Sequence, residues 1–324
     1  MNRFCGRMKN IEISRLFIAI LFVFIHSFLG CKSDNGRKEI NLNNVLRNGE
    51  LRKIKLDNAE SVYKFGFDLR RSLREDVNQY QPFINYLEST TGLKFELHIT
   101  KKGDNISDDI GTGKIQFAAV GAGTYIHASE KYSPIPLVRG VTSEGKPEYQ
   151  SVLFTLPKSD INSVEDIRGK SFAFGSYNST QGHIIPRIIL RNKKITLKDL
   201  KTYDWMASHK EVANAVIRGD YDVGGIQDLL GWELEKSGLI KIIHVSKFYP
   251  SSGIIAYGGV PEEVISNVMN ALLSFESIGK DSANLVNWDK TEMANGFIKA
   301  QKGDYKELTK WSKEFGIISN GLKK

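Results

Sequence analysis

An apolar run, Phe172-Ala173-Phe174, leads into Gly175-Ser176-Tyr177-Asn178-Ser179-Thr180-Gln181-Gly182-His183, a turn dense in hydroxyls and amides where a helix should begin. A helix N-terminus leaves its first backbone N–H groups without intrahelical partners and carries a partial positive charge. Hydroxyls from Ser179 and Thr180 beside those amides would make a cradle for a tetrahedral or planar oxyanion. Pro186 fits only the first turn or so of a helix, which sets the start near Ser179. Ser and Thr also cap helices with no ligand present, and spacing alone leaves both readings open.

Other chemistry is sparse. No paired-cysteine metal site, His-Glu-x-x-His, Walker loop or nucleophile elbow occurs, so neither an enzyme nor a metal or cofactor is expected. Arg70 and Arg71 follow a candidate strand, and either could reach an anion. A solvated pair is the simpler expectation. The two cysteines are Cys5 and Cys31.

The N-terminus carries Arg3, Arg7, Lys9 and Arg15 against Glu12, then an apolar run from Leu16 to Leu29. That run falls short of the about twenty residues needed to span a bilayer, and the pattern is that of a secretory signal. Phe28-Leu29-Gly30-Cys31 resembles the bacterial lipobox, whose cysteine is acylated before cleavage. An uncleaved anchor with a chance cysteine is the alternative. On the first reading residues 1–30 are a lipoprotein signal peptide, Cys31 is the lipidation site, no intrachain disulfide remains, and the lipid tethers the chain to a membrane surface. Removing four basic residues and one acid lowers the net charge from +8 to about +5. The remaining Lys and Arg are scattered, and no nucleic-acid partner is expected.

Residues 31–60 are mostly polar and read as a tether. From Val62 strands and helices alternate. Strands are expected at Tyr63–Phe67, Lys94–Ile99, Lys114–Val120, Ser151–Leu156, Ser171–Gly175, Asp222–Ile226, Ile240–Val245 and Gly253–Tyr257. Helices are expected at Tyr80–Glu88, Thr124–Glu130, Glu211–Arg218 and Asp228–Ser237, and after Pro261. Such alternation predicts an α/β fold with mostly parallel sheets.

The stretch Asn178-Ser179-Thr180-Gln181-Gly182 resembles the anion-binding segment of the phosphonate-binding proteins of ABC importers, which are type II periplasmic binding proteins. The likeness extends through Val120-Gly121-Ala122-Gly123-Thr124-Tyr125, Tyr149-Gln150-Ser151-Val152-Leu153, Asn162 to Lys170, Ser208-His209 and Gly219 to Asp228. It implies two α/β lobes joined by two hinge strands: 61–148 with 249–324 as lobe one, and 149–248 as lobe two.

By resemblance, Ser179 and Thr180 hold the anion's oxygens, with Gln181 where the family has a serine. His209, charged, donates to the ligand with its pKa raised. Tyr125 lines the anion site. Asp228 accepts from a protonated ligand oxygen or an amino group. The implied partners are a small phosphonate-, phosphite- or phosphate-like oxyanion and a membrane permease with its ATPase. The implied location is the cell envelope, lipid-anchored and facing the periplasm or outer surface. A ligand-sensing receptor lipoprotein, or an enzyme on the same fold, is the alternative.

Overall fold

The computed structural model describes residues 61–101, 103–301 and 303–319. The expectations for residues 1–60, including the signal, Cys31 and the tether, lie outside the described residues. Among those described, thirteen strands form: β1 Val62–Phe67, β2 Lys94–His98, β3 Phe117–Val120, β4 Ile135–Gly140, β5 Glu148–Tyr149, β6 Ser151–Thr155, β7 Ser171–Phe174, β8 Thr202–Trp205, β9 Val223–Gln227, β10 Lys241–Val245, β11 Tyr249–Pro250, β12 Gly253–Ala256 and β13 Phe297–Lys299. They make a six-stranded sheet in the order β13-β4-β12-β3-β1-β2 and a five-stranded sheet in the order β10-β6-β9-β7-β8. A two-stranded ladder, β11-β5, completes the set.

The inner strands read as uninterrupted apolar or small residues because both faces are covered. FAAV of β3, SFAF of β7 and GIIA of β12 are buried at every position. The expectation of mostly parallel sheets is corrected. β1–β2, β1–β3, β7–β8 and β7–β9 are parallel, and the other pairings are antiparallel. The reason is the path of the chain. It leaves the first sheet through β5 and enters the middle of the second as β6, against its neighbours. It returns through β11 and enters the first sheet as β12, again against its neighbours. At the crossing, Tyr149 lies opposite Tyr249.

Helices start where their caps dictate. The helix expected at Tyr80 begins at Leu73, because Ser72 and Glu75 form a reciprocal capping box; Pro82 lies inside it. That helix buries Tyr80, Phe83, Ile84 and Leu87. Phe83 stacks on Trp288 with ring centroids 4.9 Å apart. A second core gathers Phe172, Phe174, Ile184, Ile185 and Ile188 with Tyr305, Leu308, Ile317 and Ile318. The C-terminal helix Lys306–Glu314 therefore packs on the middle segment's core as well as on the helix Ala122–Lys131.

Candidate functional site

The hydroxyl-rich turn folds as the sequence anticipates, with one addition. Between Ser179 and the α-helix Ile185–Asn192 lies a turn of π-helix, Thr180–Ile184. Its wider winding accommodates Pro186, which cannot donate to a carbonyl one turn back. The carbonyls it leaves free find other donors: Gly175 N–H donates to Gly182 O at 2.8 Å, and Ser151 Oγ–H to Gln181 O at 2.6 Å. Strand and helix touch at Gly175 and Gly182, where a Cβ on Gly182 would stand 2.8 Å from the Gly175 Cα. Ser179 caps the helix: its Oγ accepts Gly182 N–H at 2.9 Å, and its carbonyl accepts His183 N–H and Ile184 N–H. The capping reading is thus correct and does not exclude the other. A hydroxyl that accepts still has a proton to donate, and the leading amides of Thr180 and Gln181 precede those that Ser179 satisfies.

Ser176, Ser179, Thr180 and Gln181 face Asp68, Leu69, Arg70, Gly121, Tyr149, His209 and Ser252 across a narrow cavity of about 20 Å³. That is room for about one water, so the walls must part or shift to admit even a compact guest. Arg70 is fixed on two sides. Its Nη2 donates to Ser252 Oγ at 2.9 Å, and its Nη1 to Glu292 Oε1 at 3.1 Å. The Glu292 side chain is 1% exposed. Burial opposes the charge on Arg70, but Glu292, Tyr80 and Asp68 outweigh it and raise the pKa above its ordinary value. Asp68 accepts Gly121 N–H at 2.8 Å and the Thr124 hydroxyl at 3.1 Å. Burial raises its pKa against these donors and Arg70.

Arg70 is the principal residue that sequence reasoning set aside. The solvated-pair expectation fails for it, because its counter-charge and hydroxyl partner come from distant segments. Arg71 is tied to Glu233 at 2.8 Å. Asp68, Ser252 and Glu292 were not anticipated. The paired backbone bonds from Arg70 and Arg71 N–H to Asp76 that shape this loop have no clear sequence signature.

His209 reaches the cavity from the first position of the helix His209–Ile217, capped by Ser208. Its protonation differs from the expectation: burial, then Arg70's charge, lower its pKa to about 3. The ring is neutral in this state, and its Nδ1 is buried without a partner. Gln181 lines the cavity, but its Nε2 donates to Gln150 O at 2.8 Å and to Asp228 Oδ1 at 3.3 Å, so its donors face away from a guest. Asp228 stands behind Gln181, outside the lining. It accepts Gln150 N–H at 2.8 Å, and its pKa is raised to about 6, chiefly by burial. Tyr125 is also elsewhere. Its ring lies 5.4 Å from that of Tyr305, in a wider open groove shared with Glu130, Lys306 and Lys313. That groove has more room but no convergent set of buried polar groups. Tyr149 completes the cavity. Its buried hydroxyl has no hydrogen bond of good geometry, although Thr180 is near enough to temper the rise in pKa that burial causes.

The two walls are in contact. Gly123 N–H donates to Thr180 Oγ1 at 2.7 Å, and Lys210 pairs with Glu75 at 2.7 Å.

A model of the family described as ABC transporter, phosphonate, periplasmic substrate-binding protein matches residues 65–305. The chain belongs to this family. As such a substrate-binding protein it is not an enzyme, and it works outside the cytoplasm. It is 23% identical over 276 residues to the probable ABC transporter phosphite binding protein PhnD1 of Prochlorococcus marinus (strain MIT 9301), covering 78% of this chain and 84% of that one. The structure of that PhnD1 with methylphosphonate superposes with a TM-score of 0.72 at 17% identity, over 79% of this chain and 99% of that one. A binding protein component of an ABC phosphonate transporter from Pseudomonas aeruginosa superposes with a TM-score of 0.69 at 19% identity, over 81% and 90%. The alkanesulfonate-binding protein SsuA from Xanthomonas axonopodis pv. citri, bound to MOPS, gives a TM-score of 0.58 at 15% identity, over 80% and 93%. The shared architecture is the two-lobed type II periplasmic-binding-protein fold, and in this chain β5 and β11 pair where it crosses between the two sheets.

Proposed function

We propose that the chain captures a small oxyanion of the phosphonate, phosphite or phosphate class between its lobes and delivers it to a membrane permease driven by an ATPase. The observation that carries the ligand assignment is the cavity itself, where the turn Ser176–Gln181 faces the fixed guanidinium of Arg70. Ser179 and Thr180 donate through hydroxyls and the leading amides of their helix. Arg70 donates from the opposite wall, and neutral His209 donates through a ring N–H. Gln181 and Asp228 shape the floor as a hydrogen-bonded pair. Tyr125 falls outside this set.

Magnitudes agree with reversible capture. Hydrogen bonds involving a charged group contribute roughly 1.5–3 kcal/mol each. Four or five of them, less several kcal/mol for immobilising the ligand and closing the lobes, leave something near the roughly −8 kcal/mol of a micromolar complex.

The lobes are residues 61–148 with most of 249–304, and 149–248. The segment 305–319 straddles them, since its apolar residues share a core with both Ala122 and Ile185. Lipid on Cys31 would hold the binding lobes at a membrane surface near the permease. Calorimetry of the folded chain with methylphosphonate, phosphite and phosphate tests the ligand class. Heat from at least one at micromolar concentrations is expected, and silence with all three removes the assignment. Mass spectrometry of the exported protein tests the anchor, which predicts an acylated N-terminal Cys31.

A further inference from the structure

The two charges lining the cavity belong to one short loop, Asp68 and Arg70, and they are not equally available. Arg70's charge is already matched by Glu292 at 3.1 Å, a carboxylate buried with it. Asp68, Arg70 and Glu292 put two carboxyl groups against one guanidinium, and the carboxyl without that ion pair is the one lining the cavity with Ser179 and Thr180. The remaining titratable groups around Asp68 do not offset it. His209 is neutral, Tyr149 and Tyr80 are buried phenols, Asp76 is turned to the Arg70 and Arg71 amides, and Asp228 stands behind Gln181. A fully ionised anion against this carboxylate would meet like charge at close range in a buried setting, where repulsion is weakly screened. A ligand that brings its own proton would meet a hydrogen-bond acceptor.

We propose that Asp68 is a specificity-determining residue of this site, accepting a hydrogen bond from a protonated oxygen of the ligand, so that hydrogen-bearing phosphorus oxyanions are taken and sulfonates and sulfate are refused. The inference rests on the oxyanion reading above. The acceptor is positioned for it. Asp68 is held from behind by Gly121 N–H and the Thr124 hydroxyl, which leaves part of its lone-pair capacity for the cavity. Burial raises its pKa against those donors and Arg70, which suits a proton shared between Asp68 and a ligand oxygen. The proton shared with a phosphonate monoanion arrives on the ligand. For a sulfonate, Asp68 would have to take it from solvent. The fold does not make this choice, since a sulfonate binder shares it.

Methylphosphonate and methanesulfonate have the same shape and differ in whether an oxygen carries a proton near neutral pH. Calorimetry of the wild-type chain with each, just below neutral pH, should show methanesulfonate weaker by about 100-fold, the scale of one hydrogen bond to a charged group. Asp68→Asn keeps an acceptor for Gly121 and offers an N–H to an ionised oxygen, so the gap should shrink to about tenfold or less. Equal wild-type affinities, or a gap that Asp68→Asn leaves intact in protein of wild-type melting temperature, would overturn the role of Asp68 while leaving the oxyanion reading in place. No binding of methylphosphonate, phosphite, phosphate or methanesulfonate would overturn both. Equal wild-type affinities decide against Asp68 even if the variant does not fold.

Discussion

The Thr180 hydroxyl, at the head of the cavity turn, accepts the backbone N–H of Gly123 at 2.7 Å. This one hydrogen bond joins the wall built on the five-stranded sheet to the helix Ala122–Lys131 that follows the first. It needs glycine at position 123, because a Cβ there would stand 2.0 Å from Asn178 O.

Gly123→Ala should therefore hinder closure without harming either lobe. The position is helical, where Ala is favoured over Gly by roughly 0.5–1 kcal/mol. Ligand affinity should fall by about tenfold or more, since the closed state becomes a minor population, and the melting temperature of the free protein should hold or rise. Calorimetry and thermal unfolding check this. Wild-type affinity would show that closure does not use this contact.

Arg70 and Glu292 form a buried pair, and removing one member leaves the other's charge uncompensated. Arg70→Ala should destabilise by about 3–5 kcal/mol and abolish binding. Replacing both residues by Met should recover much of the stability, because the remaining side chains no longer bury a charge, yet binding should stay lost. Denaturant titration and calorimetry on the single and double variants separate the two effects. Recovery of binding in the double variant would show that Arg70 only holds the fold.

Ser179 has two roles with different signatures. Its capping bond to Gly182 predicts that Ser179→Ala lowers stability by about 1 kcal/mol. If it also donates to the ligand, affinity should fall by about tenfold or more, because a hydrogen bond to a charged group is lost. Thr180→Ser keeps the hydroxyl and should stay near wild type, whereas Thr180→Ala should not. A loss of stability with unchanged affinity in Ser179→Ala would leave capping as its only role.

His209 makes stability depend on pH in a definite sense. Its folded pKa is lowered to about 3 by burial and by Arg70, from an ordinary 6.5. Below pH 6.5 the unfolded chain takes up a proton that the folded chain refuses, so stability falls as pH drops from 6.5 towards 3. At pH 5 this amounts to up to about 2 kcal/mol. Asp228, raised to about 6, has the opposite sign: its contribution is present at low pH and is lost as pH rises through 6. His209→Asn should therefore lose less stability than wild type between pH 7 and pH 5. Equal losses in urea titrations at the two pH values would contradict the neutral, buried ring.

What the sequence discloses and what it conceals divide along a physical line. The run from Phe172 to His183 is legible because strand, turn, hydroxyls and helix start are contiguous. The helix start at Leu73 was there to be read as well, since Ser72 and Glu75 have capping-box spacing. The π-turn follows from Pro186 only once Gly175 and Ser151 are seen supplying the missing donors. Arg70 is illegible for another reason. Its burial depends on Ser252 and Glu292, which the chain brings back from remote segments, and an arginine read alone looks solvated. The same holds for Asp228 and Gln181. Each can be read as a ligand group, but the fold spends them on one another. Mostly parallel pairing was the natural inference from alternating strands and helices, and it fails where β6 and β12 enter the opposite sheet.

A crystal structure with methylphosphonate tests the central claim most directly. The account predicts phosphonate oxygens within hydrogen-bonding distance of the Ser179 and Thr180 hydroxyls and the Arg70 guanidinium, with one oxygen on Asp68. Density for the ligand in the groove beside Tyr125 and Tyr305, with the cavity between Arg70 and Ser179 closed to it, would contradict the account.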